Sequence, residues 1–205
     1  MTKLTKFTLC GAALAAFLLP GVAQTSSDST APPETGAQVQ QRKENQQDRI
    51  ANGVSNGSLT SSETSNLEKK ESQINQESHD MRSMDNGHLT AADRATLQQQ
   101  QNQVSKQIYD DKHNASNQNT QPVTEVGRRR QKQQDRIANG ISNGQLTAKE
   151  SSHLEQQEAG INKEVRQDRK ANGGKLTAAE RTHVNDQQNH LSKEIYKAKH
   201  NSKKQ

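Results

Sequence analysis

The chain has 205 residues, of which 27% are hydrophobic and 2% aromatic, and its mean hydropathy is −1.20. Its 28 basic and 23 acidic residues give a net charge of +5, a bias too small to name nucleic acid or a membrane surface as the partner. This composition excludes a large apolar core and leaves a thin helical assembly or extensive disorder.

The first element is a targeting segment. Lys3 and Lys6 form a positive start, Leu9 to Leu19 an apolar run, Pro20 a break, and Gly21-Val22-Ala23 a small-x-small cleavage site. The run is too short to span a bilayer comfortably, so residues 1–23 read as a signal peptide cleaved near Ala23. Cys10 follows Thr8-Leu9 instead of the small residues that lipidation requires. Removal of 1–23 takes away the only Cys and both Phe residues, and leaves 26 basic against 23 acidic residues, about +3. The mature chain then has no disulfide and no thiol chemistry, and its only aromatics are Tyr109 and Tyr196. The expected location is extracytoplasmic, periplasmic or secreted, with no transmembrane segment in the mature chain.

Residues 24–37, rich in Ser, Thr and Pro, read as a disordered leader, and 115–124 as a linker. The segments between and after them repeat with an offset of 87 residues. QQDRIANG at 46–53 recurs at 133–140, and 38 of 69 positions are identical between 46–114 and 133–201 without a gap. Shared bias does not keep such register, so the chain is a duplication, with repeat units at 38–114 and 125–205.

Gly-x-Leu-Thr occurs at 57–60, 87–90, 144–147 and 174–177, and each Thr precedes an acid by three residues: Glu63, Asp93, Glu150 and Glu180. A Thr that accepts from the third backbone N–H of a helix, with an acid reaching back, marks a helix start. Apolar residues then follow at spacings of seven and four: Leu97, Val104, Ile108; Leu154, Ile161, Val165; Val184, Leu191, Ile195. At 100° per residue they lie within about 40° of one another, a narrow seam. Leu67 and Ile74 follow the same rule, Ser78 breaks it, and Met81 substitutes one turn later. The spacing predicts helices over 60–82, 90–113, 147–170 and 177–200, paired into antiparallel hairpins through short Gly-rich turns. A helix before each pair, around 38–52 and 125–139, ends in Ala-Asn-Gly, which reads as a Gly C-cap. The fold class is all-α: two tandem three-helix units with coiled-coil-like seams, joined flexibly enough that one survives unfolding of the other. Gln188 falls on the polar face in this reading.

The Asn-Gly loops resemble EF-hand calcium loops in their Gly, apolar residue and Glu. With Gly57 at loop position six, Asn52, Val54, Asn56, Leu59 and Glu63 take positions one, three, five, eight and twelve. Val54 and its counterpart Ile141 offer no oxygen at position three. Arg82 with Met84, and Arg169 with Ala171, occupy positions one and three of the other loops. Calcium needs six to eight hard oxygens, so a capped helix start accounts for the same residues better. Seven His invite a metal, but no Cys, HxxxH or HExxH accompanies His183 and His190, which share a face, and His113 and His200 suit helix C-termini. The run Arg128-Arg129-Arg130-Gln131-Lys132, with Arg42-Lys43 as its weaker counterpart, reads as a solvated helix start. Tyr109 and Tyr196 read as core with the hydroxyl at the edge. Acids fall on polar faces where nothing raises their pKa. No nucleophile elbow, phosphate loop, Cys-His pair or metal quartet is present. No catalytic, cofactor-binding or metal-ligating residues are therefore assigned.

The helix-start phrase G-x-L-T-x-x-E and the closing Q-N-x-x-S-K-x-I-Y-x-x-K-H-N pattern, Gln101 to Asn114 and Gln188 to Asn201, carry a resemblance. The chain resembles a group of exported bacterial proteins, of uncharacterised function, in which Gln/Arg-rich helical units recur after a signal peptide. The resemblance covers nearly all of 46–114 and 133–201 and implies no activity, cofactor or catalytic residue. The expected function is a non-enzymatic binding or structural role in the cell envelope or outside it, toward envelope components or another protein, with no specific nucleic acid. The alternatives are a degenerate EF-hand-like calcium-responsive module and a periplasmic chaperone-like or stress protein.

Overall fold

A computed structural model describes residues 35–116 and 124–204; the segment read as a signal peptide, most of that read as a leader and most of that read as a linker lie outside them. The described residues form six helices and no strand: α1 (Gly36–Ser55), α2 (Ser61–Met84), α3 (Ala91–His113), α4 (Glu125–Ser142), α5 (Ala148–Ala171) and α6 (Ala178–Lys199). The all-α class is thus the observed one.

The four helix starts stand where the Thr-x-x-acid phrases put them. Thr60, Thr90, Thr147 and Thr177 each accept from the backbone N–H three residues on, and Glu63, Asp93, Glu150 and Glu180 each accept from the Thr backbone N–H. Each exchange satisfies two donors that the first turn leaves without helical partners. Thr35 and Gln38 make a fifth box at the start of α1, where sequence reading had placed a leader. Thr124 caps α4 by accepting from the Gly127 N–H at 3.2 Å.

Ala-Asn-Gly is not a C-cap. α1 and α4 run through it to Ser55 and Ser142, and the positive-φ residues of the turns are Gly57 (φ 72°) and Gly144 (φ 68°). Gly53 and Gly140 lie inside the helices for a different reason. A Cβ on either would stand 2.6 Å from Cγ and Cδ1 of Leu59 or Leu146. The missing side chain lets the loop leucine fold back onto its own helix. Leu59 N–H donates to the Gly53 carbonyl at 3.0 Å, and Leu146 N–H to that of Gly140 at 2.9 Å.

The seam is the core. Leu97, Val104, Ile108, Leu154, Ile161, Val165, Val184, Leu191 and Ile195 are all buried, as are Leu67 and Ile74. Ser78 is buried at the place where the second copy has Val165, and Met81 packs partly buried against the cluster. The core is broader than the seam, because Val39, Ile50, Val54, Leu59 and Leu89, with their counterparts Val126, Ile137, Ile141, Leu146 and Leu176, join it. Val54 and Ile141 are thus core residues of α1 and α4.

The two copies do not stand apart. The described residues of both copies fall in one compact unit, and the most extensive helix contact is α2 with α5, followed by α1 with α4. Ser65 Oγ donates to the Ser152 carbonyl at 2.9 Å, and Ser152 Oγ donates to the Ser65 carbonyl at 2.8 Å. These residues are equivalent, 87 positions apart. A bond exchanged both ways between equivalent groups is the signature of an isologous contact, here made within one chain. Each copy therefore covers the face of the other.

Candidate functional site

The two helices of the most extensive contact, α2 and α5, carry four buried carboxyl groups. Glu68 and Glu71 on α2, and their counterparts Glu155 and Glu158 on α5, are all 0% exposed. Their placement follows from helix geometry: Glu71 comes four residues after Leu67, about 40° from it round the helix. It therefore shares the inward face with the seam, and Glu68 lies on the side toward the other copy.

Few partners reach these groups. Gln47 Nε2 of α1 donates to Glu68 Oε2 at 3.2 Å, and Gln134 Nε2 of α4 donates to Glu155 Oε2 at 3.1 Å. Oε1 of Glu68 and Glu155, and both carboxyl oxygens of Glu71 and Glu158, are buried without a hydrogen-bond partner. Burial without compensation penalises the ionised form. Burial is the main reason that Glu71 and Glu155 are pushed up to about 7 and Glu158 to about 8. Burial and then the neighbouring Glu71 raise Glu68 well above the usual carboxylate range. Two cations oppose this, Lys43 beside Glu71 and Arg130 beside Glu158. Lys43 is itself pushed down, first by its own burial. The pairs are not identical: the Ser61 hydroxyl bonds Glu155, whereas the position equivalent to Ser61 is Ala148.

The expectation that nothing raises the pKa of the acids is thus overturned at these four positions. The signal was in the sequence: Leu67-Glu68 with Glu71 recurs unchanged as Leu154-Glu155 with Glu158. The basic run is also not simply solvated. Arg130 is half-buried beside Glu158, and Arg129 donates to the Asn189 side chain of α6.

Two phrases shared by both copies are structural. In QQDR, Gln46 and Gln133 donate to the carbonyls of Gln101 and Gln188 at 2.7 and 2.8 Å, while Arg49 and Arg136 each donate at 3.0 Å to the carbonyls of Ser105 and Ser192. Gln101 and Gln188 are buried and donate to the carbonyls of Val39 and Val126 at 2.9 and 3.0 Å. Gln188 is therefore on an inward face, because a buried amide that ties α6 to the start of α4 has no place in solvent. In K-H-N, Asn114 and Asn201 donate to Oε1 of Glu63 and Glu150, each at 2.7 Å. Both oxygens of those glutamates are then engaged, one by the cap and one by the Asn. Residues read against an EF-hand thus belong to the core (Val54, Ile141, Leu59) or to caps (Glu63).

Among the described residues, no three His, Cys, Asp or Glu side chains converge as a metal site. His183 Nε2 stands 3.2 Å from Glu164 Oε1, and His190 is exposed apart from it. His113 and His200 Nδ1 each lie 2.7 Å from the carbonyl of the Tyr four residues earlier.

The tyrosines are not core. Tyr109 is 59% exposed and Tyr196 60%, and each stacks on its His, with ring centroids 4.2 and 4.1 Å apart. The last seam residues, Ile108 and Ile195, take the buried places beside them. An open groove of about 510 Å³ also crosses the α2–α5 contact. Lys69 and Gln73 line it from one copy, Lys149 and His153 from the other, and no carboxyl lines it. No described helix is long and apolar enough to cross a membrane. Compared with known protein families, curated proteins and solved structures, the chain matches none.

Proposed function

We propose that this is a non-enzymatic, exported helical protein that acts by binding at the cell envelope or outside it, with the doubled Tyr–His stack as its contact surface. The single observation that carries this reading is the exposure of Tyr109 and Tyr196 at equivalent places in a fold that buries its other apolar residues thoroughly. Met84 is the one further large hydrophobic side chain exposed among the described residues. The helix-end carbonyl explains each His, but nothing in the fold requires the aromatic ring beneath it. An exposed ring offers a face for stacking and a hydroxyl for hydrogen bonding, the combination that favours Tyr at contact surfaces. Two equivalent sites on one chain also strengthen binding to a surface that repeats its own ligand. The export reading rests on residues 1–23 of the sequence.

The test is photo-crosslinking in intact cells, with a photoreactive side chain replacing Tyr109 or Tyr196, followed by cell fractionation. The expected result is processed protein outside the cytoplasm, crosslinked from both positions to the same partner. Cytoplasmic, unprocessed protein overturns export. Exported protein without crosslinks above those from an exposed control position, such as Lys106, overturns the contact surface.

A further inference from the structure

We propose that Glu68, Glu71, Glu155 and Glu158 form a proton-controlled latch: carrying protons, they hold the two repeats face to face, and losing them drives the repeats apart. The argument begins with position. Glu68 acts on Glu155 across the most extensive contact between helices, the one that joins one repeat to the other, and Glu71 and Glu158 are buried three residues further along the same two helices. Two come from each side, so ionisation places like charges on opposing surfaces. Six of their eight oxygens are buried without a partner. Water solvates those oxygens only when α2 and α5 separate, so ionised carboxylates favour the open arrangement.

The groups that act on the cluster come from four helices. α1 supplies Gln47 and Lys43, which is itself held by Glu44 and repelled by Arg82 of α2. α4 supplies Gln134 and Arg130. Ser61 at the start of α2 adds a hydrogen bond to Glu155, and the Asn162 side chain of α5 stands beside Glu158. Two cations face four carboxyls, so full ionisation leaves the contact with an excess of negative charge.

The direction follows from linkage. The folded chain holds protons on these carboxyls at pH values where the unfolded chain has released them. The contribution of Glu71, Glu155 and Glu158 is complete below about 4.5, the ordinary carboxyl value, and is lost as pH rises through about 7 to 8, and Glu68 is shifted in the same direction. One carboxyl moved from 4.5 to about 7 weights the closed state by roughly 300-fold across that interval. The capping acids Asp93, Glu150 and Glu180 are shifted the other way, so their contribution falls only in stronger acid. The groove over the contact takes its walls from both repeats and exists only while the latch is closed.

The experiment uses the full chain and a variant with all four glutamates changed to glutamine (E68Q, E71Q, E155Q, E158Q), which keeps their shape without their charge. Urea unfolding is followed from pH 5 to pH 9, and carboxyl carbons are titrated by NMR in the wild type. The expected wild-type midpoint is highest near pH 5 and falls steadily to pH 9, while the variant keeps its pH 5 midpoint throughout. The carbons of Glu71, Glu155 and Glu158 are expected to titrate near pH 7 to 8, and that of Glu68 well above the ordinary carboxyl range. A flat wild-type profile, a variant with the wild-type slope, or four carboxyls that all titrate near 4.5 overturns the latch. The NMR titration needs no variant and decides the matter even where the quadruple change prevents folding.

Discussion

Within each repeat the helices meet on leucine, isoleucine and valine; between the repeats, α2 and α5 meet on carboxyls and serine hydroxyls. Both contacts are buried, but they respond to different changes. The seam answers to volume, since a lost methyl group leaves a gap whatever the pH. The contact between repeats answers to charge, because burial penalises the ionised form of its carboxyls, which are better solvated when open. The difference shows how so polar a chain makes one compact unit. Each repeat has enough apolar side chains for a thin core, and duplication lets the second repeat cover what the first leaves open.

The largest effect is expected in the seam. Leu191 of α6 is 0% exposed, and Leu191→Ala costs about 2–5 kcal/mol for the lost transfer energy and the cavity. Thermal melting by circular dichroism at pH 5 checks it. A variant that melts like wild type breaks the assignment of the seam as the core. The next effect separates amide bonding from surface polarity. Gln188→Ala removes the donor to the Val126 carbonyl and is expected to cost about 1–3 kcal/mol, the penalty for a buried carbonyl left unpaired. Unchanged urea unfolding would return Gln188 to the solvent face. The smallest effect sharpens the contact between repeats. Ala148→Ser places on Glu68 the hydroxyl that Ser61 already supplies to Glu155. The Glu68 carboxyl is expected to titrate at lower pH by NMR, with the pH 5 midpoint changed by less than about 1 kcal/mol, the usual net worth of one hydrogen bond. No movement of that titration would show that the two sides of the contact are not equivalent.

Much of the fold was legible because it is written in local chemistry. The Thr-x-x-acid phrases gave helix starts to within a residue, and the seven-and-four spacing of Leu97, Val104 and Ile108 found buried side chains. What was not legible depended on a second surface. The Gly53 position looks like a helix end until Leu59 is seen folded against it. Gln188 and Glu71 look solvent-facing by composition, because a polar side chain is usually outside. Their burial follows from the partner that covers them, α4 for Gln188 and α1, with its Lys43, for Glu71. Tyr109 failed in the opposite sense: an aromatic next to the seam was expected inside, but Ile108 already fills that place. The duplication held the missing clue, since a face kept identical in both copies, such as Leu67-Glu68 with Glu71, can pair with its own counterpart.

The most direct test of the central claim, that two repeats make one folded body through the α2–α5 contact, is hydrogen exchange at pH 5 on the full chain carrying Leu191→Ala. The change lies in the second repeat, in α6. If the repeats are one body, amides of α2 in the first repeat lose protection together with those of α5 and α6, because α2 loses the surface that covers it. If α1, α2 and α3 keep wild-type protection while α5 and α6 lose theirs, the repeats are independent and the account is contradicted.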